Sequence, residues 1–129
     1  MRILALDHGS ARCGCAISDP TGTIVRPIAP IAPPDPAAVA AAVTEHGAEM
    51  VLVGLPVSLD GSEGAQAQEA RRFAEQVAIA VDVPVEVYDE RLTTKLAAAS
   101  RRDGSRAAED SLAAAHLLDS YLLSLQARR

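Results

Sequence analysis

Arg-Ile-Leu-Ala-Leu-Asp at residues 2–7 is the stretch that decides the fold of this 129-residue chain. An apolar run that ends in an acid is typical of a buried strand, and the His-Gly-Ser that follows predicts a tight turn into a second strand at 13–18. An Asp-Pro-Thr-Gly turn at 19–22 then leads to a third strand at 23–28, and prolines break the pattern from Pro30 onward. The N-terminal third is therefore predicted to be an antiparallel meander.

Helices and strands alternate along the rest of the chain. Asp35 is a predicted N-cap for a helix that starts at Pro36, and Gly47 is its predicted stop. The further predicted elements are a strand at 50–54, an amphipathic helix at 65–80, a strand at 83–88, a short helix from Thr93 or Thr94 to about Arg102, and a last helix from about Ala107 to Ser124. This alternation implies right-handed crossovers and parallel pairing. We predict one α/β domain over residues 1–129, with a five-stranded mixed sheet flanked by helices.

Composition and charge narrow the possible functions. The chain has one Phe, two Tyr and no Trp, so aromatic base-stacking cannot be its main mode of binding. Its formal net charge of −5 argues against a nonspecific nucleic-acid coat, because Lys and Arg supply most of the affinity of such proteins for phosphate. Positive residues are nevertheless in excess between Arg91 and Arg106. The chain shows neither a long apolar run nor a signal pattern, which predicts a cytoplasmic protein without a membrane partner.

Acidic residues stand at three positions that the predicted fold brings to one edge of the sheet. Asp7 ends the first strand, Asp89 and Glu90 end the last strand, and Asp110 lies in the first predicted turn of the final helix. Ligands gather beyond the carboxyl ends of parallel strands, and Asp110 shares a helical stripe with Leu117 that we expect to face the sheet. Each acid alone is more often an N-cap or a solvated strand end. Their joint placement indicates a site.

The chemistry of these acids indicates a divalent metal. Buried carboxylates that lie together repel one another unless a cation neutralises them. Hard oxygen ligands favour Mg²⁺ or Mn²⁺ over zinc. Two such ions about 4 Å apart can activate water and stabilise the leaving oxygen of a phosphodiester in an in-line displacement. The acids therefore predict a two-metal centre that hydrolyses phosphodiester bonds.

Five segments resemble one known family, in order and from end to end of the chain. They are Leu-Ala-Leu-Asp-His-Gly at 4–9, Arg-Cys-Gly-Cys-Ala-Ile-Ser-Asp at 12–19, Val-Gly-Leu-Pro at 53–56 with Asp-Gly-Ser-Glu-Gly at 60–64, Asp-Glu-Arg-Leu-Thr-Thr at 89–94, and Asp-Ser-Leu-Ala-Ala at 110–114. The chain is thereby similar to the YqgF/RuvX family. The resemblance implies a ribonuclease H-like fold and a metal-dependent endonuclease that resolves Holliday junctions or matures the 5′ end of pre-16S ribosomal RNA.

The resemblance also implies which acids act. Asp7, one acid of the pair Asp89 and Glu90, and Asp110 would be the catalytic, metal-binding carboxylates. We prefer Glu90 within the pair, because its longer side chain reaches further past the end of the strand. Adjacent residues face opposite sides of a strand, however, so the sequence leaves both acids open.

Contacts to the substrate are expected from Arg12, Arg91 and Thr94. Arg91 and Thr94 are expected either to touch phosphate or to fix the end of the last strand, and Arg12 either to contact phosphate or to be a solvated surface arginine. The glycine-bearing loop at 54–64 has neither a Walker lysine nor the spacing of a dinucleotide fingerprint. We interpret it as a flap on the substrate side.

The chain departs from the family pattern at His8, where proline is usual, and at Ser111, where lysine is usual. We interpret His8 as a solvated turn residue, with an imidazole beside the metal site as the alternative. Cys13 and Cys15 lie two apart on a predicted strand, a poor geometry for bridging each other, and are interpreted as buried free thiols. If their face were exposed, a disulfide between subunits would be possible.

Three functions compete at this stage. The first is a metal-dependent nuclease that cuts DNA four-way junctions or precursor rRNA. The second is an actin-like or sugar-kinase-like ATPase lobe, against which the length of the chain speaks. The third is a noncatalytic nucleic-acid or ribosome-assembly module, against which the presence of all three acidic positions speaks. Symmetric cutting of a junction would require a homodimer, whereas rRNA trimming would not.

Overall fold

Five strands and three α-helices make up the part of the chain that the structure, a computed structural model, describes: residues 1–92 and 111–127. The strands are β1 (Ile3–His8), β2 (Cys13–Ser18), β3 (Val25–Ile31), β4 (Met50–Leu55) and β5 (Val85–Asp89). The helices are α1 (Pro36–His46), α2 (Ala65–Ala80) and α3 (Leu112–Ala127).

The sheet is mixed and has the strand order β3-β2-β1-β4-β5. β1 pairs antiparallel with β2, and β2 antiparallel with β3, whereas β1 pairs parallel with β4, and β4 parallel with β5. α1 and α2 cover one face of the sheet and α3 covers the other. The predicted α/β class, with an N-terminal meander joined to parallel strands, is confirmed.

Side chains of the central strands alternate between two cores. On β1, Leu6 packs toward α1 and α2, whereas Ala5 packs toward α3, and both are 0% exposed. The alternation continues to Asp7, which therefore lies on the α3 face. On β4, Leu52 packs toward α3, so Gly54, two residues further, shares that face.

The third strand is longer than the sequence predicts. We expected it at 23–28 with a break at Pro30, but β3 runs from Val25 to Ile31 and contains both Pro27 and Pro30. This prediction was wrong because β3 is an edge strand. Proline is tolerated there, since the missing N–H group deprives no further strand of a hydrogen bond.

The ends of α1 follow the predicted signals. The Asp35 side chain accepts a hydrogen bond of 3.0 Å from the backbone N–H of Ala37, which satisfies one of the unpaired donors of the first turn. Gly47 adopts the left-handed conformation with φ 65°, which costs little without a Cβ atom. Both predicted boundaries are confirmed.

Other boundaries differ by small amounts or cannot be compared. β5 runs over Val85–Asp89 instead of 83–88, and β1 over Ile3–His8 instead of 2–7. The predicted short helix to about residue 102 and the predicted first residues of the last helix, 107–110, lie outside the described residues, as does most of the positive stretch that follows Arg91.

Ser111 joins α3 to the sheet through its buried hydroxyl. The register of β2 on β3 shifts between Cys13 and Cys15, which marks an irregularity in the ladder. At that place the Ser111 hydroxyl accepts a hydrogen bond of 3.0 Å from the N–H of Cys15 and donates one of 2.7 Å to the carbonyl of Ile28. The carbonyl of Ser111 accepts the N–H of Ala115 at 3.0 Å, so this residue also starts the helix.

Replacing Ser111 with Ala is expected to lower the free energy of unfolding by about 1–3 kcal/mol, because two backbone groups lose a buried partner. Urea denaturation of the two proteins measures the difference. The matched control is Ser124→Ala near the other end of α3, where the hydroxyl donates only to the carbonyl of Tyr121 in its own helix. Equal losses in the two variants would contradict this role for Ser111.

Cys13 and Cys15 are free and buried, as interpreted from the sequence. Both side chains belong to the core between the sheet and the helices α1 and α2, and each is at most 1% exposed. Among the described residues, no helix is both long and apolar enough to cross a membrane.

Candidate metal centre

Asp7 lies at the C-terminal end of β1, on the face that α3 covers. It stands opposite Gly14 of β2, so no side chain on that neighbouring strand position competes for the space. The side chain is half-buried, and this desolvation raises the pKa of its carboxyl, an effect that the nearby His8 partly offsets. A half-buried carboxylate with a raised pKa is costly to ionise in the absence of a cation.

Glu90 follows β5 directly and starts a 3₁₀ turn over Glu90–Leu92. Its carboxylate lies above Gly54: a Cβ atom placed on Gly54 would be 3.0 Å from Oε2 of Glu90. The pKa of Glu90 is raised to about 7, first by burial and then by the negative charges of Asp7 and Asp89. The carboxylates of Asp7 and Glu90 are therefore close enough to repel each other.

Asp89 points elsewhere. Val85 of β5 packs toward α1 and α2, whereas Tyr88 packs toward α3, so the alternation places Asp89 on the face opposite Asp7. Its carboxylate accepts hydrogen bonds from the guanidinium of Arg91, which hold the pKa of Asp89 below its ordinary value. Of the two acids that the sequence left open, Glu90 is the one that lies near Asp7.

The predicted substrate contacts have different surroundings. Arg91 donates to Asp89 and also, from Nη1, to the carbonyl of Leu59 at 3.2 Å. Arg12 is exposed in the turn between β1 and β2, where its carbonyl accepts the N–H of Gly9 at 3.0 Å. Thr94 and Asp110 lie outside the described residues. The structure thus brings Asp7 and Glu90 together and leaves the placement of Asp110 as a prediction.

His8 packs against a helix on the face of the sheet opposite Asp7 and Glu90, so it is not a solvated turn residue. Its ring packs against Phe73 of α2, with the ring centroids 4.6 Å apart and the planes at 35°. This contact lies on the face of the sheet opposite Asp7. The interpretation of His8 as a solvated residue was wrong because β1 extends one residue further than predicted and carries the imidazole onto α2.

The two described acids fit a hard divalent cation. Both are carboxylates, both are partly desolvated, and the negative charge of Asp7 disfavours ionisation of Glu90, which is the arrangement that a bound cation relieves. The two Arg–carboxylate ion pairs recorded within residues 1–92 and 111–127 involve neither of them. Those residues contain no group of three metal-ligating side chains.

Gly54 is the functional position that sequence reasoning missed. A Cβ atom there would lie 3.0 Å from both Glu90 Oε2 and Leu117 Cδ2, closer than ordinary packing allows. The signal was present in the sequence as a glycine inside an otherwise apolar strand, which often marks a close approach of other atoms. The sequence predicts Gly54 as the last residue of the strand at 50–54 and as part of the glycine-bearing loop, without a role at the site.

The raised pKa of Glu90 predicts an unusual pH dependence of stability. Between the ordinary value of 4.5 and about 7, the folded protein holds a proton that the unfolded chain has lost, so the free energy of unfolding falls as pH rises through this range. Thermal melting of metal-free protein from pH 5 to 8 measures this decline, which Glu90→Gln should flatten. Parallel profiles for the wild type and the variant would contradict the assignment.

A family model and the related sequences agree on the family to which this chain is similar. A sequence model described as RuvX, Holliday junction resolvase, matches residues 1–124. A relative from Anaeromyxobacter sp. (strain Fw109-5), named as a candidate pre-16S rRNA nuclease, is 42% identical over 132 residues, which cover 95% of this chain and 96% of the relative. A relative of the same name from Chloroflexus aurantiacus is 40% identical over 130 residues, with 93% and 85% covered.

The fold has a solved counterpart. The RuvC of T. thermophilus, determined in complex with a Holliday junction substrate, superposes with a TM-score of 0.61 over 98% of this chain and 96% of that one. At 16% identity this likeness shows the fold alone, and it confirms the predicted ribonuclease H-like architecture. With the match over residues 1–124 and the two relatives, it follows that the chain belongs to the RuvX family, described as Holliday junction resolvases.

Proposed function

We propose that this protein is a divalent-metal-dependent endonuclease that hydrolyses phosphodiester bonds in structured nucleic acid. The observation that carries the proposal is the pair of partly buried carboxylates, Asp7 and Glu90, at the carboxyl ends of β1 and β5, the two strands that pair parallel with β4 on its two sides. Family membership supports the same activity, because the matched family is described as Holliday junction resolvases and the relatives are named as candidate pre-16S rRNA nucleases.

Asp7, Glu90 and Asp110 would hold the metal, which we propose to be one or two Mg²⁺ or Mn²⁺ ions. When bound, such ions activate water and stabilise the leaving oxygen of the phosphodiester. The protein's own contribution is to hold the carboxylates in place and to release a proton from Glu90. Because the pKa of Glu90 is about 7 in the metal-free protein, ion binding at neutral pH displaces that proton from a part of the molecules.

The substrate is proposed from the chemistry of the relatives. A DNA four-way junction is supported by the description of the family, and precursor 16S rRNA by the names of the relatives. Arg12 and Thr94 are proposed phosphate contacts. We further propose that residues 1–129 act as one cytoplasmic domain, and that junction resolution, if it is the activity, is carried out by a homodimer.

Cleavage of labelled substrates tests the proposal. The wild-type protein is incubated with Mg²⁺ or Mn²⁺ and with a synthetic four-way junction, a precursor 16S rRNA fragment or a continuous DNA duplex of matched length. We expect cutting of the junction or of the rRNA fragment that stops when EDTA is added, and little cutting of the duplex. Failure to cut either structured substrate with either metal would contradict the proposed activity.

A further inference from the structure

We infer that Arg91 is a positioning residue that sets the carboxylate of Glu90 for metal binding, and is not itself a contact to the phosphate of the substrate. This inference rests on the proposed metal centre. It concerns a residue that the family resemblance would equally allow to bind nucleic acid.

Most N–H groups of the Arg91 guanidinium form hydrogen bonds within the protein. Its Nε donates to Asp89 Oδ2 at 2.9 Å, and its Nη2 donates to the same oxygen at 2.5 Å. Its Nη1 donates to the carbonyl of Leu59 at 3.2 Å. Three of the five N–H groups of the side chain therefore have partners, and these partners fix both edges of the planar group.

The backbone of Arg91 takes part as well. Its N–H donates to Asp89 Oδ1 at 2.9 Å, a side-chain to backbone bond across two residues that closes a turn. This turn stands where β5 ends and the 3₁₀ turn over Glu90–Leu92 begins. It lies on the residues that flank Glu90 on both sides, so the direction of the Glu90 side chain depends on it.

The faces of the strand explain how this geometry acts on the metal centre. Asp89 belongs to the face of α1 and α2, where Arg91 holds its carboxylate. Glu90, the next residue, therefore leaves the strand on the other face and reaches the space above Gly54 near Asp7. If Asp89 were released, the turn would lose the bonds that keep the two neighbouring acids apart.

Arg91 also connects the end of β5 to the loop that follows β4. Within that loop, Ser58 accepts the N–H of Gly61 at 2.8 Å, and the N–H of Ser58 donates to the carbonyl of Ser62 at 3.0 Å. Leu59, whose carbonyl binds Arg91, belongs to this turn. In the ion pair between Arg91 and Asp89, the two side chains are 35% and 23% exposed. Its direct electrostatic contribution is therefore small, and the geometry that it imposes matters more.

Metal binding without nucleic acid separates the two roles of Arg91. The proteins are the wild type, Arg91→Ala and Arg91→Lys, which keeps the charge but cannot form the forked contact. The matched control is Arg71→Ala, which removes a similar pair, Arg71 with Glu63 at 2.7 Å, at the far end of the same loop. Mn²⁺ affinity is measured by electron paramagnetic resonance of the free ion, and circular dichroism confirms folding.

We expect both Arg91 variants to bind Mn²⁺ at least about 10-fold more weakly, because the loss of residues that orient metal ligands usually has an effect of this size. The Mn²⁺ affinity of Arg71→Ala should stay within about twofold of the wild type. In Ca²⁺, the salt dependence of junction binding should have the same slope in the wild type and in Arg91→Ala, which has lost the charge. If Arg91→Ala does not fold, Arg91→Lys carries the comparison.

Two results would overturn the inference. One is an unchanged Mn²⁺ affinity in both Arg91 variants, and a salt slope for Arg91→Ala that is smaller by about one phosphate contact would then assign Arg91 to substrate binding. The other is an equal loss of Mn²⁺ affinity in Arg71→Ala. Neither result touches the proposed nuclease, which would fail separately if Asp7→Asn bound Mn²⁺ as tightly as the wild type.

Discussion

Asp7→Asn is expected to lower the rate of cleavage by at least about 100-fold at saturating Mg²⁺, since it removes a charged ligand from the proposed metal centre, where the loss of a mere orienting residue already costs 10–100-fold. The asparagine has nearly the same shape, so the strand and its pairing with β2 should persist. Initial rates on whichever structured substrate the wild type cuts measure the effect.

The melting temperature of Asp7→Asn shows whether the variant is still folded. Because the charge of Asp7 contributes to the raised pKa of Glu90, its removal should lower that pKa. Metal-free Asp7→Asn should therefore melt at the same temperature as the wild type or higher near pH 7. A variant that cuts at the wild-type rate would show that Asp7 binds no catalytic metal.

Gly54→Ala is expected to have the second-largest effect, although it adds only one methyl group. The new Cβ would lie 3.0 Å from Glu90 Oε2 and 3.0 Å from Leu117 Cδ2, so both side chains must move by a few tenths of an ångström. Metal ligands tolerate errors of only about 0.2 Å. We therefore expect Mn²⁺ affinity and cleavage to fall about 10-fold or more, as measured by titration and by initial rates.

Gly64→Ala is the matched control for this substitution. Gly64 precedes α2 with φ −79°, and a Cβ atom there meets no heavy atom within 4 Å. It should behave as the wild type. In the double variant Gly54→Ala with Leu117→Ala, the crowding on the helix side is relieved, but the contact with Glu90 remains. Recovery of metal binding in that double variant would show that Gly54 matters only for packing against α3.

The fold was predictable because its signals are local. The apolar run that ends at Asp7, the cap at Asp35 and the stop at Gly47 each act within a few residues, and they predicted the meander and the alternating second half. The third strand was misjudged at Pro30. Whether a proline ends a strand depends on whether a neighbouring strand needs its N–H group, and that is a property of the assembled sheet.

The candidate site was predictable in its residue types and less so in its geometry. The choice between Asp89 and Glu90 depends on which face each acid takes at the end of β5, and this follows from pairing with β4 and from the turn that Arg91 closes. The contact between Arg91 and the carbonyl of Leu59 spans 32 residues. Such contacts leave no periodic pattern in the sequence, so only the structure shows them.

Direct binding of Mn²⁺ to the metal-free protein at pH 7.5 tests the central claim, that Asp7 and Glu90 together hold a divalent cation. The comparison needs the wild type, Asp7→Asn, Glu90→Gln and the control Glu86→Gln. Glu86 is an acid of β5 on the face that α3 covers, and it accepts a hydrogen bond of 3.4 Å from the Tyr121 hydroxyl. We predict that Asp7→Asn and Glu90→Gln each weaken binding by at least about 10-fold, while Glu86→Gln binds as the wild type does. Equal affinity in all four proteins would contradict the claim.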